Sequence, residues 1–378
     1  MMKNTKLNVC IVGGGHIGTT LACYIKHAYS EHRVNLYTWH SEKFSDTIKC
    51  NDIENERSYT VTIDKVSSDP RYVIADSDII FVALPHFMIE KAFSDISPYV
   101  KDGAVIGVIP GGGGCEFFFE KYFNRNITLF GFQRVPFTAK VAEYGRETNL
   151  KSWKPYSVVG TIYKDRIDDV CELIENCGLK TKKASDYLEI ALTPTNPILH
   201  TSRTFELFGK FDRGHIFEHK MKFYVGWGNE ASQILFSMDS ELHQLLDSLE
   251  IDTSAIIPLS EHYESHSVDA MTKKINSIAT FQSVYAPLKE VEKGFVTDTD
   301  SRMFSEDFPW GLLVFRSYFD FFNIKAPTMD RLLQWYSSYM GYDWYDGDRL
   351  IYDNLKSTGA IQKYGISSGE DLINFYNR

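Results

Sequence analysis

Between an apolar run, Val9-Cys10-Ile11-Val12, and the segment Thr19-Thr20-Leu21-Ala22-Cys23-Tyr24-Ile25 stands Gly13-Gly14-Gly15-His16-Ile17-Gly18. A strand buried on both faces needs a short, continuously apolar run, and a helix packed on it needs an apolar stripe at helical spacing. Both requirements are met here, so the N-terminal part is confined to an α/β arrangement. In such a turn the glycines have separate tasks: Gly13 takes the tight bend, Gly15 leaves room for a pyrophosphate, and Gly18 lets the helix approach the strand. The helix N-terminus adds backbone N–H groups and a partial positive charge. Gly13, Gly14, Gly15, His16, Ile17 and Gly18 are therefore the expected dinucleotide cradle of a Rossmann-type fold.

The first half alternates strand and helix patterns, as a doubly wound parallel sheet does. Arg33 to Thr38 reads as the second strand, Asp78 to Pro85 as a buried strand ending at a proline, and Gly103 to Pro110 as its repeat. Strands follow near Ile127 to Phe132 and Ser157 to Ile162, with an amphipathic helix through Val170, Leu173 and Ile174. Ligands of such sheets lie beyond the carboxyl ends of the strands. Thr38, Pro85-His86, Pro110 to Gly114 and Gln133-Arg134 are accordingly expected to face the cofactor, with Thr38 and Pro85 among its contacts. The alternation stops between Ser185 and Asn196, after which the pattern is helical, with Phe223 to Leu249, Leu312 to Phe322 and Leu332 to Met340 as the main segments. The expected division is a dinucleotide-binding domain over 1–192 and an all-α substrate domain over 193–378, whose many aromatic residues read as core.

A chain of 378 residues is long enough for two such domains. Its net charge of -10 speaks against a nucleic-acid backbone or an anionic membrane as the main partner. No run is apolar enough to cross a bilayer. Lys3 and Lys6 ahead of an apolar stretch mimic an export signal, but the glycines and His16 interrupt that stretch, and strand-turn-helix is the better reading. The six cysteines form no C-x-x-C pair and most fall in apolar stretches, which points to a reducing, cytoplasmic setting. His215-Ile216-Phe217-Glu218-His219 satisfies the letters of an inverted zincin motif, and His262 and His266 repeat the spacing, yet no third ligand is identifiable and no metal site is expected. Small molecules remain as partners, and no feature of the sequence fixes an oligomeric state.

Read as a whole, the chain resembles the octopine/nopaline (opine) dehydrogenase family. The stretches that carry the resemblance are Val9 to Gly15, Ser97-Pro98-Tyr99-Val100, Glu116-Phe117, Glu143-Tyr144-Gly145-Arg146, Asn196-Pro197-Ile198-Leu199-His200 and, above all, Arg302-Met303-Phe304-Ser305-Glu306-Asp307-Phe308-Pro309-Trp310-Gly311. The resemblance implies a reductive condensation, in which the amine of an amino acid and the carbonyl of a 2-oxo acid form an imine that takes a hydride from a reduced nicotinamide. It also implies that His200 is the general acid/base, Asp307 its partner, and Arg302 a holder of a substrate carboxylate. The chemistry wants these residue types: imidazole moves a proton near neutral pH, a carboxylate fixes its tautomer, and guanidinium donates two parallel hydrogen bonds to a carboxylate.

Two departures bear on substrate choice. Octopine-type enzymes carry a Gln in the loop occupied here by Pro110-Gly111-Gly112-Gly113-Gly114, and a Thr near the position of Arg134. In exchange, the backbone at Gly112 allows close approach, and Arg134 either contacts a substrate carboxylate or pairs with a surface acid. The second strand leads into Thr38-Trp39-His40-Ser41-Glu42-Lys43. Glu42 suits a ribose hydroxyl and Ser41 with Lys43 suit a 2′-phosphate, so NAD(H) is favoured and NADP(H) stays open. Two other functions fit a dinucleotide fold with a helical domain: a ketone reductase of the ketopantoate reductase or 2-hydroxy acid type, and a dinucleotide-binding sensor without turnover.

Overall fold

The computed structural model describes residues 6–124, 126–194 and 196–377; Lys3 lies outside them. The chain divides into two compact units, Met1–Ala191 with Tyr376–Arg378, and Leu192–Phe375.

In the first unit the strands are β1 (Asn8–Val12), β2 (Arg33–Tyr37), β3 (Ile48–Asp52), β4 (Arg57–Val61), β5 (Lys65–Ser67), β6 (Ile79–Val82), β7 (Val105–Val108), β8 (Thr128–Phe132), β9 (Phe137–Glu143), β10 (Glu147–Trp153), β11 (Ser157–Thr161) and β12 (Thr181–Lys183). Its helices are α1 (His16–Ala28), α2 (His86–Ile96), α3 (Cys115–Phe119), α4 (Ile167–Asn176) and α5 (Leu188–Ala191). Eight strands form one sheet in the order β12-β11-β8-β7-β6-β1-β2-β5. From β5 to β8 every pairing is parallel; β11 joins β8 antiparallel and carries β12 beside it. The run β5-β2-β1-β6-β7-β8 is the doubly wound order, whose direction of winding reverses between β1 and β6. The apolar runs recognised in the sequence are fully buried there: Val9, Ile11, Ile79, Phe81, Ile106 and Val108 expose 0% of their surface.

A second sheet, β4-β3-β10-β9, is absent from the sequence expectations. Its hairpins β3–β4 and β9–β10 are antiparallel, and β3 and β10 pair in parallel. It lies on the outer face of α1: Val141 N donates to His16 Nδ1 at 3.0 Å, the hydroxyls of Thr20 and Thr148 are 2.5 Å apart, and His27 stacks on Tyr59. Packing against two sheets explains why Thr19, Thr20, Leu21, Ala22 and Cys23 are all buried and mostly small.

The second unit is helical, with α6 (Asn196–Phe208), α7 (Asn229–Asp247), α8 (Leu259–His262), α9 (Val268–Ser277), α10 (Arg302–Ser305), α11 (Leu313–Phe319), α12 (Pro327–Met340) and α13 (Gly369–Tyr376). It also carries two short hairpins, at Leu288–Val291 with Gly294–Thr297 and at Tyr345–Asp346 with Arg349–Leu350, so it is helical rather than purely so. Phe308–Leu312, ahead of α11, is one turn of π-helix. The long helix expected over Phe223 to Leu249 begins only at Asn229, because Gly226 takes a positive φ of 71° and Gly228 caps α7 in an extended conformation. Tyr376 lies with the first unit and its hydroxyl donates to buried Glu116 Oε1 at 2.9 Å.

A Cβ at Gly18 would stand 1.9 Å from the carbonyl oxygen of Gly13, which backbone cannot yield cheaply. Gly18→Ala is therefore expected to destabilise the first unit by about 1–3 kcal/mol, the range for an overpacked core. Urea unfolding with an unchanged midpoint would contradict this.

Candidate active site

At the mouth of the large sheet, beyond β1, the glycine turn divides its labour. Gly13 takes φ +114°, and a Cβ there would strike Ala83 O at 2.5 Å. At Gly14 a Cβ would meet the Phe44 ring at 2.7 Å, and at Gly18 the turn itself. Those three glycines answer to packing. Gly15 alone of the four faces open space, with nothing within 4 Å of a Cβ, and it is the residue at the N-cap of α1, where no side chain caps the helix. An uncapped helix N-terminus beside a bare backbone fits the pyrophosphate of a dinucleotide. Thr19 Oγ1 donates to Gly14 O at 3.0 Å and stiffens the turn; Ile17 packs on the core.

The other positions expected on the cofactor side lie at strand ends. Thr38 follows β2, is buried, and its hydroxyl is 3.4 Å from that of Tyr144. The stretch Ser41–Lys43 forms a short 3-10 turn, with the Glu42 side chain 65% exposed and 3.8 Å from His40 Nδ1. Pro85 caps the start of α2, and His86 reaches back so that its Nε2 stands 3.3 Å from Pro110 O. Across the same loop, a Cβ on Gly112 would meet only the His86 ring, at 3.5 Å, leaving its backbone approachable. Arg134 follows β8 and its charge reaches Lys154; burial first, and then Arg134, push the Lys154 ammonium down to about 8.

In the helical unit the structure brings His200 and Asp307 together. His200 lies on α6, three residues after Pro197; Asp307 immediately precedes the π-turn, four residues before Gly311. Gly311 makes the meeting possible, since a Cβ there would fall 2.8 Å from Pro197 Cγ. The π-turn closes through Leu312 N donating to Asp307 O at 2.8 Å, and Phe308 stacks on Tyr336 with ring centroids 4.4 Å apart. Single π-turns recur at functional sites because they re-aim a side chain within an otherwise regular helix. Here the aimed group is the Asp307 carboxylate, whose Oδ2 lies 2.7 Å from His200 Nδ1, with both side chains largely buried. A carboxylate only accepts, so Nδ1 carries the proton and Nε2 of the neutral ring is an acceptor.

The third member of the cluster was not anticipated. Tyr224 Oη stands 2.8 Å from His200 Nε2. The helix expected over Phe223 to Leu249 would include Tyr224; the signal against it is the pair Gly226 and Gly228, which breaks the helical pattern just after it. Arg302, on the one-turn helix α10, pairs through Nε with Glu306, and its side chain is 67% exposed. Arg134 and Gly112 belong to the other unit. The zincin-like letters lead to no ligand set: His215 stacks on Phe211, and among the described residues no three His, Cys, Asp or Glu side chains gather as a metal shell.

Comparisons with known proteins agree with both halves. The family model described as NAD/NADP octopine/nopaline dehydrogenase, alpha-helical domain, matches residues 183–340, and that of the NAD-dependent glycerol-3-phosphate dehydrogenase N-terminus matches residues 8–112. An opine dehydrogenase of Haliotis discus hannai is 23% identical over 98% of this chain and 99% of its own. A tauropine dehydrogenase of Arabella iricolor is 24% identical over 97% and 99%. A solved octopine dehydrogenase in complex with NADH and agmatine has a TM-score of 0.82 at 20% identity, covering 97% of this chain and 98% of that one, which shows a shared fold.

Because Gly15 faces open space, Gly15→Ala is expected to leave stability nearly unchanged while weakening NADH binding about tenfold or more, by blocking backbone approach to the pyrophosphate. Fluorescence titration giving wild-type affinity would remove Gly15 from the cradle.

Proposed function

The chain belongs to the octopine/nopaline dehydrogenase family, and on that premise we propose that it is an NAD(H)-dependent opine dehydrogenase joining an amino acid to a 2-oxo acid by reductive condensation. The observation that carries the reading is the 2.7 Å contact between His200 Nδ1 and Asp307 Oδ2 in the helical unit of a chain whose other unit offers a dinucleotide cradle.

The condensation joins the amine nitrogen to the carbonyl carbon, expels water, and gives an imine that is reduced at carbon. When bound, the reduced nicotinamide supplies the hydride. His200 supplies the proton traffic: as imidazolium it protonates the departing oxygen through Nε2, leaving an iminium to take the hydride, and in the reverse direction the neutral ring takes that proton back from the water that adds to the iminium. Asp307 keeps the Nδ1 proton in place and stabilises the imidazolium as it forms. Arg302 would anchor a substrate carboxylate, with Glu306 holding the guanidinium in position. Arg134, beside Lys154, makes a doubly cationic point suited to a second carboxylate, and the bare backbone at Gly112 permits close approach there. The cradle would be Gly13 to Gly18 with Thr38 and Pro85, and the domains would be 1–192 and 193–378. NAD(H) is the expected reductant, with Glu42 rather than Lys43 taking the ribose.

The ketone reductase and sensor readings are not favoured, since full-length similarity is to opine-type dehydrogenases. A cytoplasmic location is supported by six cysteines that are all free and buried. Among the described residues no helix is long and apolar enough to cross a membrane.

Oxidation of NADH and of NADPH, followed against a matrix of 2-oxo acids and amino acids, tests the reading. Oxidation is expected only when both partners are present; oxidation with an oxo acid alone would make the protein a ketone reductase. In the productive pair, His200→Ala or Asp307→Ala should lower turnover by about 10²-fold or more with NADH affinity nearly intact. Arg302→Ala should chiefly raise the KM of one substrate, and an unaltered saturation curve would end its anchor role.

A further inference from the structure

We propose that Tyr224 is a positioning residue for the acid/base: its hydroxyl donates to His200 Nε2 and holds the imidazole in the neutral, Nδ1-protonated form in the resting enzyme. This rests on the reading of His200 as the acid/base. With Nδ1 committed to Asp307 at 2.7 Å, Nε2 is the nitrogen left to exchange a proton, and Tyr224 Oη stands 2.8 Å from it.

The arrangement is built rather than incidental. The Tyr224 ring is buried and stacked on Phe281 with centroids 4.0 Å apart, while Phe223 meets the His200 ring edge-on at 5.6 Å. The segment bearing both aromatics is tied to the helix that bears His200. Arg203, three residues on along α6, donates from Nε to Phe223 O at 2.6 Å and from Nη2 to Val225 O at 3.0 Å, so the carbonyls on both sides of Tyr224 are held by one side chain. Glu206, one turn further, pairs with Arg203 and accepts from Gly228 N at 3.2 Å and Ala231 N at 3.2 Å, fixing the other end of the segment. The spacing from His200 to Tyr224 is thus set within a single clamp.

Donor and acceptor roles follow from the chemistry. Burial, then the fields of Tyr263 and Asp307, raise the Tyr224 phenol above its ordinary range, so it remains a neutral donor. A donor on the Nε2 lone pair stabilises neutral imidazole and opposes its protonation. Among the charged groups on elements packed against α6, Arg302 of α10 pairs with Glu306 and also interacts with the Asp307 carboxylate; on α7, Glu230 pairs with Lys210, Asp239 accepts from Leu259 N with His243 beside it, and Glu241 accepts from Thr328 N; on α12, Asp330 pairs with Arg316 and Arg331 lies over the ring of Phe205. Asp307 and Tyr224 therefore hold His200 from opposite sides, the carboxylate at Nδ1 and the phenol at Nε2.

The test is Tyr224→Phe, which keeps the ring and its stacking. In the ligand-free full-length protein, ¹⁵N NMR of labelled histidine, assigned with His200→Gln, should show the His200 titration midpoint moving up by about half a pH unit to one, as expected for loss of one neutral hydrogen bond. In the kinetics, the low-pH fall of kcat/KM for opine oxidation should move upward by the same amount, and the high-pH fall in the condensation direction should move upward with it. Replacement of tyrosine by 3-fluorotyrosine makes the phenol a stronger donor and should shift the midpoint down. An unchanged midpoint in both proteins overturns the proposal. If no substrate pair gives turnover, the functional reading fails, while the NMR titration still decides the role of Tyr224.

Discussion

The hydrogen bond between His200 and Asp307 depends on a steric permission given elsewhere, at Gly311. The carboxylate and the imidazole are 107 residues apart in sequence and 2.7 Å apart in space, and they meet because α6 begins against the π-turn. Pro197 fits at that contact only while Gly311 has no side chain. Pro197 is itself suited to the first turn of a helix, where its missing N–H is not needed. Pro309 likewise lacks an N–H near the start of the π-turn, and Trp310 N bonds to Glu306 O at 2.9 Å to carry the backbone past it. Behind the contact, Phe304, Phe308, Trp335, Tyr336 and Tyr339 form one aromatic cluster. Its bulk gives the turn little room to move, so the carboxylate is held by packing rather than by its own hydrogen bonds alone.

The same logic separates structural from functional glycines in the N-terminal turn. A fingerprint of glycines invites the view that each serves the ligand, yet Gly13, Gly14 and Gly18 are each excluded from bearing a side chain by protein atoms already present. The Phe44 ring, which lies next to Gly14, is also packed edge-on against Tyr144 at 5.3 Å, at the tip of the β9–β10 hairpin. The second sheet therefore helps to shape the turn as well as to bury α1.

What the sequence made legible follows from periodicity. Strands buried on both faces, such as Ile79–Val82 and Val105–Val108, read as unbroken apolar runs and could be placed to within a few residues. The second sheet could not be read that way. Its strands expose one face, so Arg57–Val61 mixes charge, hydroxyl and apolar residues over only five positions, too few to separate alternation from chance. At the site, the residues of the dyad were legible because the two stretches Asn196 to His200 and Arg302 to Gly311 carry a family pattern. Tyr224 carries none. Its importance comes from a backbone segment pinned by Arg203 and Glu206, a relation between residues about 20 positions apart that no local pattern expresses.

The loop after β7 is a different kind of feature. The loop from Pro110 to Gly114 offers a carbonyl oxygen to His86 and no side chain longer than the proline ring. Where the octopine-type pattern has a Gln amide, the loop in this chain offers backbone groups, and those are fixed in direction. A fixed donor discriminates by distance, whereas a side-chain amide can adapt to ligands of different reach. Positive φ at Gly113 and Gly114, and the His86 ring 2.6 Å from where a Gly113 Cβ would lie, keep side chains out of the loop. After β8, burial first and then the charge of Arg134 hold the Lys154 ammonium below its usual range.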